Sequence, residues 1–370
     1  MAETGVSRRQ VLAATGGVLM GGSIGTSSAA MLDWNVAMPS EAGFSGDLEA
    51  RLDKAVADKR VWNMHAVIVI RGGRLVLERY FDGADDARGR PLGVVAFKPD
   101  TLHDLRSVSK SIVGLLYGIA LKAGKVPPPE APLMPSFPEY ADLAADAGRR
   151  RWTLHHVLSM TMGTDWDELS IPYTNPANSE IAMDRAPDRY RYVLERPIVM
   201  EPGKRWTYCG GATALLGRII AKGAGKSLHE YAREILFGPL GMALTDWYTG
   251  SDGELIAASG IRMLPRDLAR VGQLMLRGGI WDDRAVVPAE WIARCTTSVV
   301  PIDERRDYGY HWYLGRREHF WGAAGNGGQL LYVVPERDLV VVTTSGNYDT
   351  KDQWVPPLRI LHEVVLPSIL

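Results

Sequence analysis

The sequence predicts an α/β fold of the α+β kind, in which one antiparallel sheet flanked by helices is built from both ends of the chain and an all-helical lobe is inserted between them. Three observations carry this. Apolar and polar residues alternate with period two early, over 65–70 and 74–81, and again late, over 309–314, 318–323, 329–334 and 339–344; such alternation marks strands with one face on a core. From Trp152 to about Trp247 the pattern is helical, with loops rich in Pro, Asn and Asp between 163 and 190. The proline-dense break Val126-Pro-Pro-Pro-Glu-Ala-Pro132 separates the two regimes. The expected sheet lobe is therefore 31–125 with 260–370, the helical lobe is 126–259, and the reactive site lies between them.

Taken in order, residues 1–30 are a separate unit. Ser7-Arg8-Arg9-Gln10-Val11-Leu12 precedes an acid-free Gly/Ala-rich run that ends in Ser27-Ser28-Ala29-Ala30. This resembles a twin-arginine export signal and implies a periplasmic or extracellular protein, with a disordered tail or an uncleaved anchor as the alternative. No cysteine follows the run, which argues against a lipid anchor. Residues 46–60 form an amphipathic helix, and Gly72-Gly73 turns the first two strands into a hairpin. Residues 105–122 are apolar almost all round, as in a buried central helix. Further helices are expected over 264–277 and 288–297, with a closing helix after Trp354. No later stretch has the length of apolar residues needed to span a bilayer, so no membrane contact is expected after signal removal.

Composition narrows the partners. The 370 residues are 46% hydrophobic, enough for a large core, and 42 basic residues balance 43 acidic ones to a net charge of −1. No global field recruits nucleic acid or anionic membrane, which leaves a small molecule as the expected partner. The sequence sets no oligomeric state. Its two cysteines, Cys209 and Cys295, are expected as free thiols. Eight scattered histidines, with the adjacent His155-His156 pointing to different faces, give no chelating spacing, so neither metal nor cofactor is expected.

The chemistry concentrates in Leu105-Arg-Ser-Val-Ser-Lys-Ser111. Ser107 and Lys110 are three residues apart at a helix start, on one face, so the amine can reach the hydroxyl and serve as its base. Burial disfavours an ammonium, which leads one to expect a neutral, basic Lys110. The plainer alternative makes Ser107 only a helix cap. Pro202-Gly203 forces a turn that can present Tyr208 as a proton shuttle, with the Lys110 ammonium stabilising its phenolate; the alternative is a packed aromatic. In Ala323-Ala324-Gly325-Asn326-Gly327-Gly328 the backbone is nearly bare, so a ligand can approach it. The amides of Ser107 and Asn326 can then hold an oxyanion.

Ser-x-x-Lys, a tyrosine about a hundred residues on and a glycine-rich strand about a hundred further resemble, in that order, the serine β-lactamase and penicillin-binding protein superfamily. The resemblance runs from about residue 46 to the end. It is supported by Leu216-Gly-Arg-Ile-Ile220, Pro239-Leu-Gly-Met242 and Pro265-Arg-Asp-Leu-Ala-Arg-Val-Gly272. It implies a β-lactamase/transpeptidase-like fold and acyl transfer through Ser107, Lys110 and Tyr208. Two departures matter. Class C β-lactamases carry Tyr-x-Asn where this chain has Tyr208-Cys209-Gly210, and Lys-Thr-Gly where it has Ala323-Ala324-Gly325 without a cation to hold a carboxylate.

The chain is most similar to the 6-aminohexanoate-dimer hydrolases and their esterase relatives, which share Ser-Val-Ser-Lys-Ser and Tyr-Cys. That branch implies substrate contacts by Tyr173, to the scissile amide nitrogen, by Asp184, to a substrate amine, and by the Gly325 strand. A packed tyrosine and a solvated acid are the alternatives for the first two, and Gly327 stands where the branch has histidine. The expected function is hydrolysis of small-molecule esters or amides through an acyl-enzyme. A class C-type β-lactamase or D-alanyl-D-alanine carboxypeptidase, and a non-catalytic sensor of the same fold, are the competing readings.

Overall fold

An open eight-stranded antiparallel sheet is built from both ends of the chain. In spatial order its strands are Val300–Pro301, Arg306–Tyr308, Tyr313–Gly315, Trp321–Gly325, Gln329–Val334, Leu339–Ser345, Met64–Arg71 and Arg74–Tyr80. The N-terminal strand thus pairs with the last one, Ile68 opposite Val342. The computed structural model describes residues 34–370, and these belong to one compact unit. The expected export signal lies outside the described residues.

Strand periodicity sorts the core into two layers. Ile68, Ile70, Leu331, Val333, Val340 and Val342 face a cluster that runs on through the helical insertion to Leu158 and Leu215. Their neighbours Val67, Val69, Leu330, Tyr332, Leu339 and Val341 face a second cluster, covered by the Leu48–Ala57 helix and the C-terminal residues Ile360, Leu361 and Val364. Alternation of this kind is what a sheet buried on both faces requires. Sheet and insertion therefore share one continuous core.

The first hairpin turns at Gly72 and Gly73, whose φ values of 60° and 72° only glycine adopts without cost. Three expected elements differ. The strand expected at 309–314 is split: the Gly309 amide donates to the Trp312 carbonyl at 2.9 Å, and His311 takes φ 63°, so a turn separates Arg306–Tyr308 from Tyr313–Gly315. The strand expected at 318–323 begins at Trp321 and runs to Gly325, after a left-handed His319 with φ 44°. Within the loops expected between 163 and 190 lies the helix Ser179–Arg185, and Arg189–Glu195 follows. Each is started by a side chain that reads as loop chemistry: Asn178 accepts from the amides of Glu180 and Ile181, and Asp188 from those of Tyr190 and Arg191.

The central helix Val108–Lys122 is enclosed on nearly every side. It packs against the Gly210–Ala224 helix, whose Leu215 and Leu216 are fully buried. Glycines set how close its other neighbours come. The Trp291 indole lies against Gly118 where a Cβ would overlap it, and its Nε1 donates to the Gly114 carbonyl at 2.8 Å. Gly118→Ala gains about 1 kcal/mol of helix propensity but forces Trp291 out of its slot. Overpacking of a buried site costs roughly 1–3 kcal/mol, so the expected net result is a lower midpoint in thermal or urea unfolding.

Candidate active site

The nucleophile's position is set by a small three-stranded sheet. His103–Asp104 pairs with Ile261–Met263, which pairs in turn with Thr245–Trp247, and the Leu105 amide continues the ladder to the Ile261 carbonyl at 2.9 Å. The chain then turns through Arg106, held in the left-handed region at φ 49°. A non-glycine residue there costs on the order of 1–3 kcal/mol and needs its surroundings to hold it. The holders are an Arg106 guanidinium 4.4 Å over the Tyr348 ring and ion pairs to Asp86 at 3.5 Å and Asp104 at 3.6 Å. Ser107 follows as the N-cap of the central helix, 8% exposed, at the end where the helix dipole is positive.

One turn on, Lys110 is 2% exposed. Its Nζ lies 3.0 Å from Ser107 Oγ, 3.2 Å from Glu168 Oε1, 3.2 Å from Glu180 Oε2 and 3.3 Å from the Ala258 carbonyl. The Tyr208 ring centroid is 4.8 Å from that Nζ, and the Tyr208 hydroxyl lies close enough to the Ser107 side chain to be influenced by it. Hydroxyl, amine and phenol are therefore together.

The protonation states differ from those expected. Burial alone would drive the Lys110 ammonium toward neutrality, but the Glu168 and Glu180 carboxylates hold it charged, well above the usual lysine range. Tyr208 is pushed up to about 12 by burial, which outweighs the pull of Lys110, so at neutral pH it is a phenol and not a phenolate. Both corrections have one cause: buried groups and carboxylates that the local sequence does not reveal.

Glu168 and Glu180 are the functional residues that sequence reasoning missed. Both are buried. Glu168 Oε2 accepts from Trp166 Nε1 at 2.9 Å and from the Gly210 amide at 2.6 Å, while its Oε1 accepts from Tyr173 at 3.2 Å. Glu180 Oε1 accepts from Ser259 Oγ at 2.6 Å. Burial and then Glu180 push Glu168 up to about 8, against the pull of Lys110. Glu180 is held down to about 2: Lys110 and hydrogen bonds from Glu168 and Ser259 outweigh its burial. The pair also accounts for Gly210: a Cβ there would lie 2.8 Å from Glu180 Oε2 and 3.0 Å from Glu168 Oε2, so the carboxylates fill the space an asparagine side chain would enter. They stand 58 and 70 positions from Lys110, beyond the reach of any spacing rule.

The Trp321–Gly325 strand passes the helix start so closely that a Cβ on Gly325 would run into the Leu105 carbonyl and come within 3.1 Å of the Ser107 amide. Asn326 follows, its side chain pinned outward: Nδ2 donates to Asp349 at 2.7 Å, and Oδ1 accepts the Asp349 amide at 2.9 Å. Tyr173 reaches the site through Glu168. Asp184 does not present a free carboxylate; it faces Arg88 at 3.3 Å and Arg189 at 3.9 Å. Gly327, at φ 93°, has the Tyr348 ring where a side chain would project.

Both cysteines are buried free thiols. Among the described residues one cluster has metal-type ligands: ring nitrogens of His65 and His103 and an oxygen of Asp85 lie within 4.8 Å of one another. Sequence spacing gave no hint of it. The cluster is internally bonded, His65 Nδ1 to His103 Nε2 at 2.8 Å, His103 Nδ1 to the Asp104 carbonyl at 2.9 Å and Tyr348 to Asp85 at 3.0 Å.

The Beta-lactamase family profile matches residues 49–360, and the chain belongs to that family of serine hydrolases, with the β-lactamase/transpeptidase-like fold. Among its relatives, the 6-aminohexanoate-dimer hydrolase of Paenarthrobacter ureafaciens is 27% identical over 326 residues, 81% of this chain and 75% of that one. Esterase EstB of Burkholderia gladioli is 28% identical over 225 residues, 58% of this chain and 54% of that one. The solved structure of EstCE1, a hydrolase with promiscuous acyltransferase activity, superposes with a TM-score of 0.70 at 16% identity, covering 88% of this chain and 98% of its own.

The approach of the Gly325 strand to the Ser107 amide makes one substitution diagnostic. Gly325→Ala should push the strand off the helix start and lower ester turnover by about 100-fold or more, the usual size of an oxyanion-contact loss, with the circular dichroism spectrum unchanged.

Proposed function

We propose that this protein hydrolyses carboxylic ester or amide bonds of small molecules through an acyl-enzyme on Ser107. The observation that carries the reading is Ser107 Oγ at 3.0 Å from Lys110 Nζ, with the Tyr208 ring 4.8 Å from the same Nζ, beside a strand that only glycine lets come so near. The seryl oxygen attacks the carbonyl carbon while its proton leaves on the Lys110 side of the site, where the ammonium must first give up a proton of its own. Backbone amides of Ser107 and Asn326, at the positive end of the central helix, take the oxyanion. Tyr208, a phenol in the resting site, protonates the leaving alcohol or amine, and water brought in by the same groups releases the acid.

The names of the relatives, a 6-aminohexanoate-dimer hydrolase and an esterase, favour linear amide or ester substrates. Beside Tyr208 an aromatic wall offers an apolar acyl group contact, Trp206 packing at an angle against Tyr208, Tyr308 and Tyr313 with ring centroids 5.8, 5.5 and 6.3 Å away. A β-lactam reading needs a cation for the substrate carboxylate. Ala323 supplies none, and Arg106 is committed to Asp86 and Asp104. Tyr173 is placed to meet a substrate through the Glu168 side of the site, whereas Asp184 is paired with arginines. Export rests on residues 1–30; among the described residues no helix is long and apolar enough to cross a membrane.

The purified protein should turn over p-nitrophenyl esters and take up a fluorophosphonate probe at Ser107, while nitrocefin remains intact. Ser107→Ala should lose turnover on the order of 10⁴-fold or more and all labelling without unfolding, and Tyr208→Phe about 10²–10⁴-fold. Undiminished turnover by the Ser107 variant would refute the reading.

A further inference from the structure

We propose that the buried Glu168–Glu180 carboxyl pair, and not Lys110, is the resting place of the Ser107 proton during acylation, with Lys110 acting as a relay between them. This rests on the acyl-enzyme reading above and names the base for it.

An ammonium has three hydrogens, and four acceptors surround Lys110 Nζ within 3.3 Å: Ser107 Oγ, Glu168 Oε1, Glu180 Oε2 and the Ala258 carbonyl. A group so placed donates and has no lone pair to offer the serine. It becomes a base only after giving a proton away, and the two carboxylates in hydrogen-bond contact are suitable acceptors. With Glu168 raised above the usual carboxylate range, the resting pair carries one negative charge, on Glu180, opposite the Lys110 ammonium, and so keeps room for a further proton within hydrogen-bond reach of that ammonium. Gly210 shows that the space was kept for the pair, since any side chain at that position would collide with both carboxylates.

A Lys110 N–H proton moves to the carboxyl pair and the Ser107 O–H proton moves to Lys110 Nζ, as the Oγ–C bond forms and the carbonyl π pair becomes the oxyanion. On collapse, the C–X bond breaks, Tyr208 gives its proton to X, and the stored proton returns through Lys110 to the Tyr208 oxygen. The pair ends as it began. Lys110, Glu180, Tyr173, Tyr208, Cys209, Tyr308 and Tyr313 face Glu168; Arg88, Asp184 and Ser259 face Glu180. Of these, Glu168 is raised to about 8, so the pair gains its second negative charge, and with it proton-accepting capacity, as pH rises through that region.

The test is the pre-steady-state burst of p-nitrophenol from native protein and from Glu180→Gln and Glu168→Gln, each followed from pH 5 to 10. Glu180→Gln is the gentler change, because the Ser259 hydroxyl can accept from the new amide. The native acylation rate should climb along a limb near pH 8. In Glu180→Gln that limb should move to lower pH and its plateau fall about 10- to 100-fold, since a lone carboxylate beside Lys110 is the weaker base. In Glu168→Gln the limb should vanish. If Glu168→Gln does not fold, carboxyl carbon-13 resonances of the native chain labelled at glutamate serve instead, with one buried carboxyl expected to titrate near pH 8. Native limbs retained in both variants, a uniform loss without any shift, or no such resonance would overturn the relay alone. Absence of a burst and of fluorophosphonate labelling in the native protein would overturn the serine reading and the relay with it.

Discussion

The rest of the site depends on one charge being held in a place that disfavours it. Lys110 is fully buried, and an uncompensated ammonium there would deprotonate or unfold the site. Glu168 and Glu180 prevent both. Each of the other parts is arranged about that contact: the Gly210 amide and Trp166 orient Glu168, Ser259 orients Glu180, and the Ala258 carbonyl takes a further Lys110 contact. Glu168 arrives from a loop of the insertion, Glu180 from the first turn of the Ser179–Arg185 helix and the lysine from the central helix, so these contacts also tie the insertion to the central helix. Loss of one partner would leave a buried charge unpaired, typically a cost of 3–5 kcal/mol.

Small residues then decide how near the backbone can come. Gly210 opens room for the carboxylates, and Gly325 lets the sheet edge lie against the Ser107 amide. These are steric permissions and not flexible joints: neither residue has a φ that other residues avoid. Arg106 is the converse, a bulky residue forced to φ 49° immediately before the nucleophile and paid for by Tyr348, Asp86 and Asp104. The same Tyr348 lies against Gly327 and donates to Asp85, so the oxyanion edge and the nucleophile's turn share one brace.

Much of this was legible in sequence because it is local. Ser107 and Lys110 are one helical turn apart, the Gly72-Gly73 hairpin and the 329–334 and 339–344 strands follow period-two patterns, and the bare backbone at Gly325 is a matter of composition. Tyr208 was legible only through the order of motifs. What sequence could not supply is the partner of a buried group. Lysine burial was foreseen and its neutral state inferred from burial alone; the deciding carboxylates come from 58 and 70 residues away. Asp184 likewise reads as a free loop acid until Arg88, 96 residues earlier, is seen beside it. The Gly309–Trp312 turn inside an apparent strand is set by a tertiary fit, since a Cβ on Gly309 would collide with the Cys295 carbonyl.

The charge inventory around Ser107 also bears on what the cleft admits. Lys110 is balanced by two carboxylates, Arg106 by Asp86 and Asp104, and Arg88 by Asp184, so each of these cations already has its anion. A substrate carboxylate close to the reacting carbonyl would meet no spare positive charge from these groups and would face the field of the ionised Glu180 through a low-dielectric interior, where repulsion is strong. A neutral ester meets no such penalty, and a leaving amine that gains positive charge as it departs is drawn toward the same field. Among the described residues these cations are thus each tied to an anion, and the pairing that keeps Lys110 protonated also engages its charge within the protein.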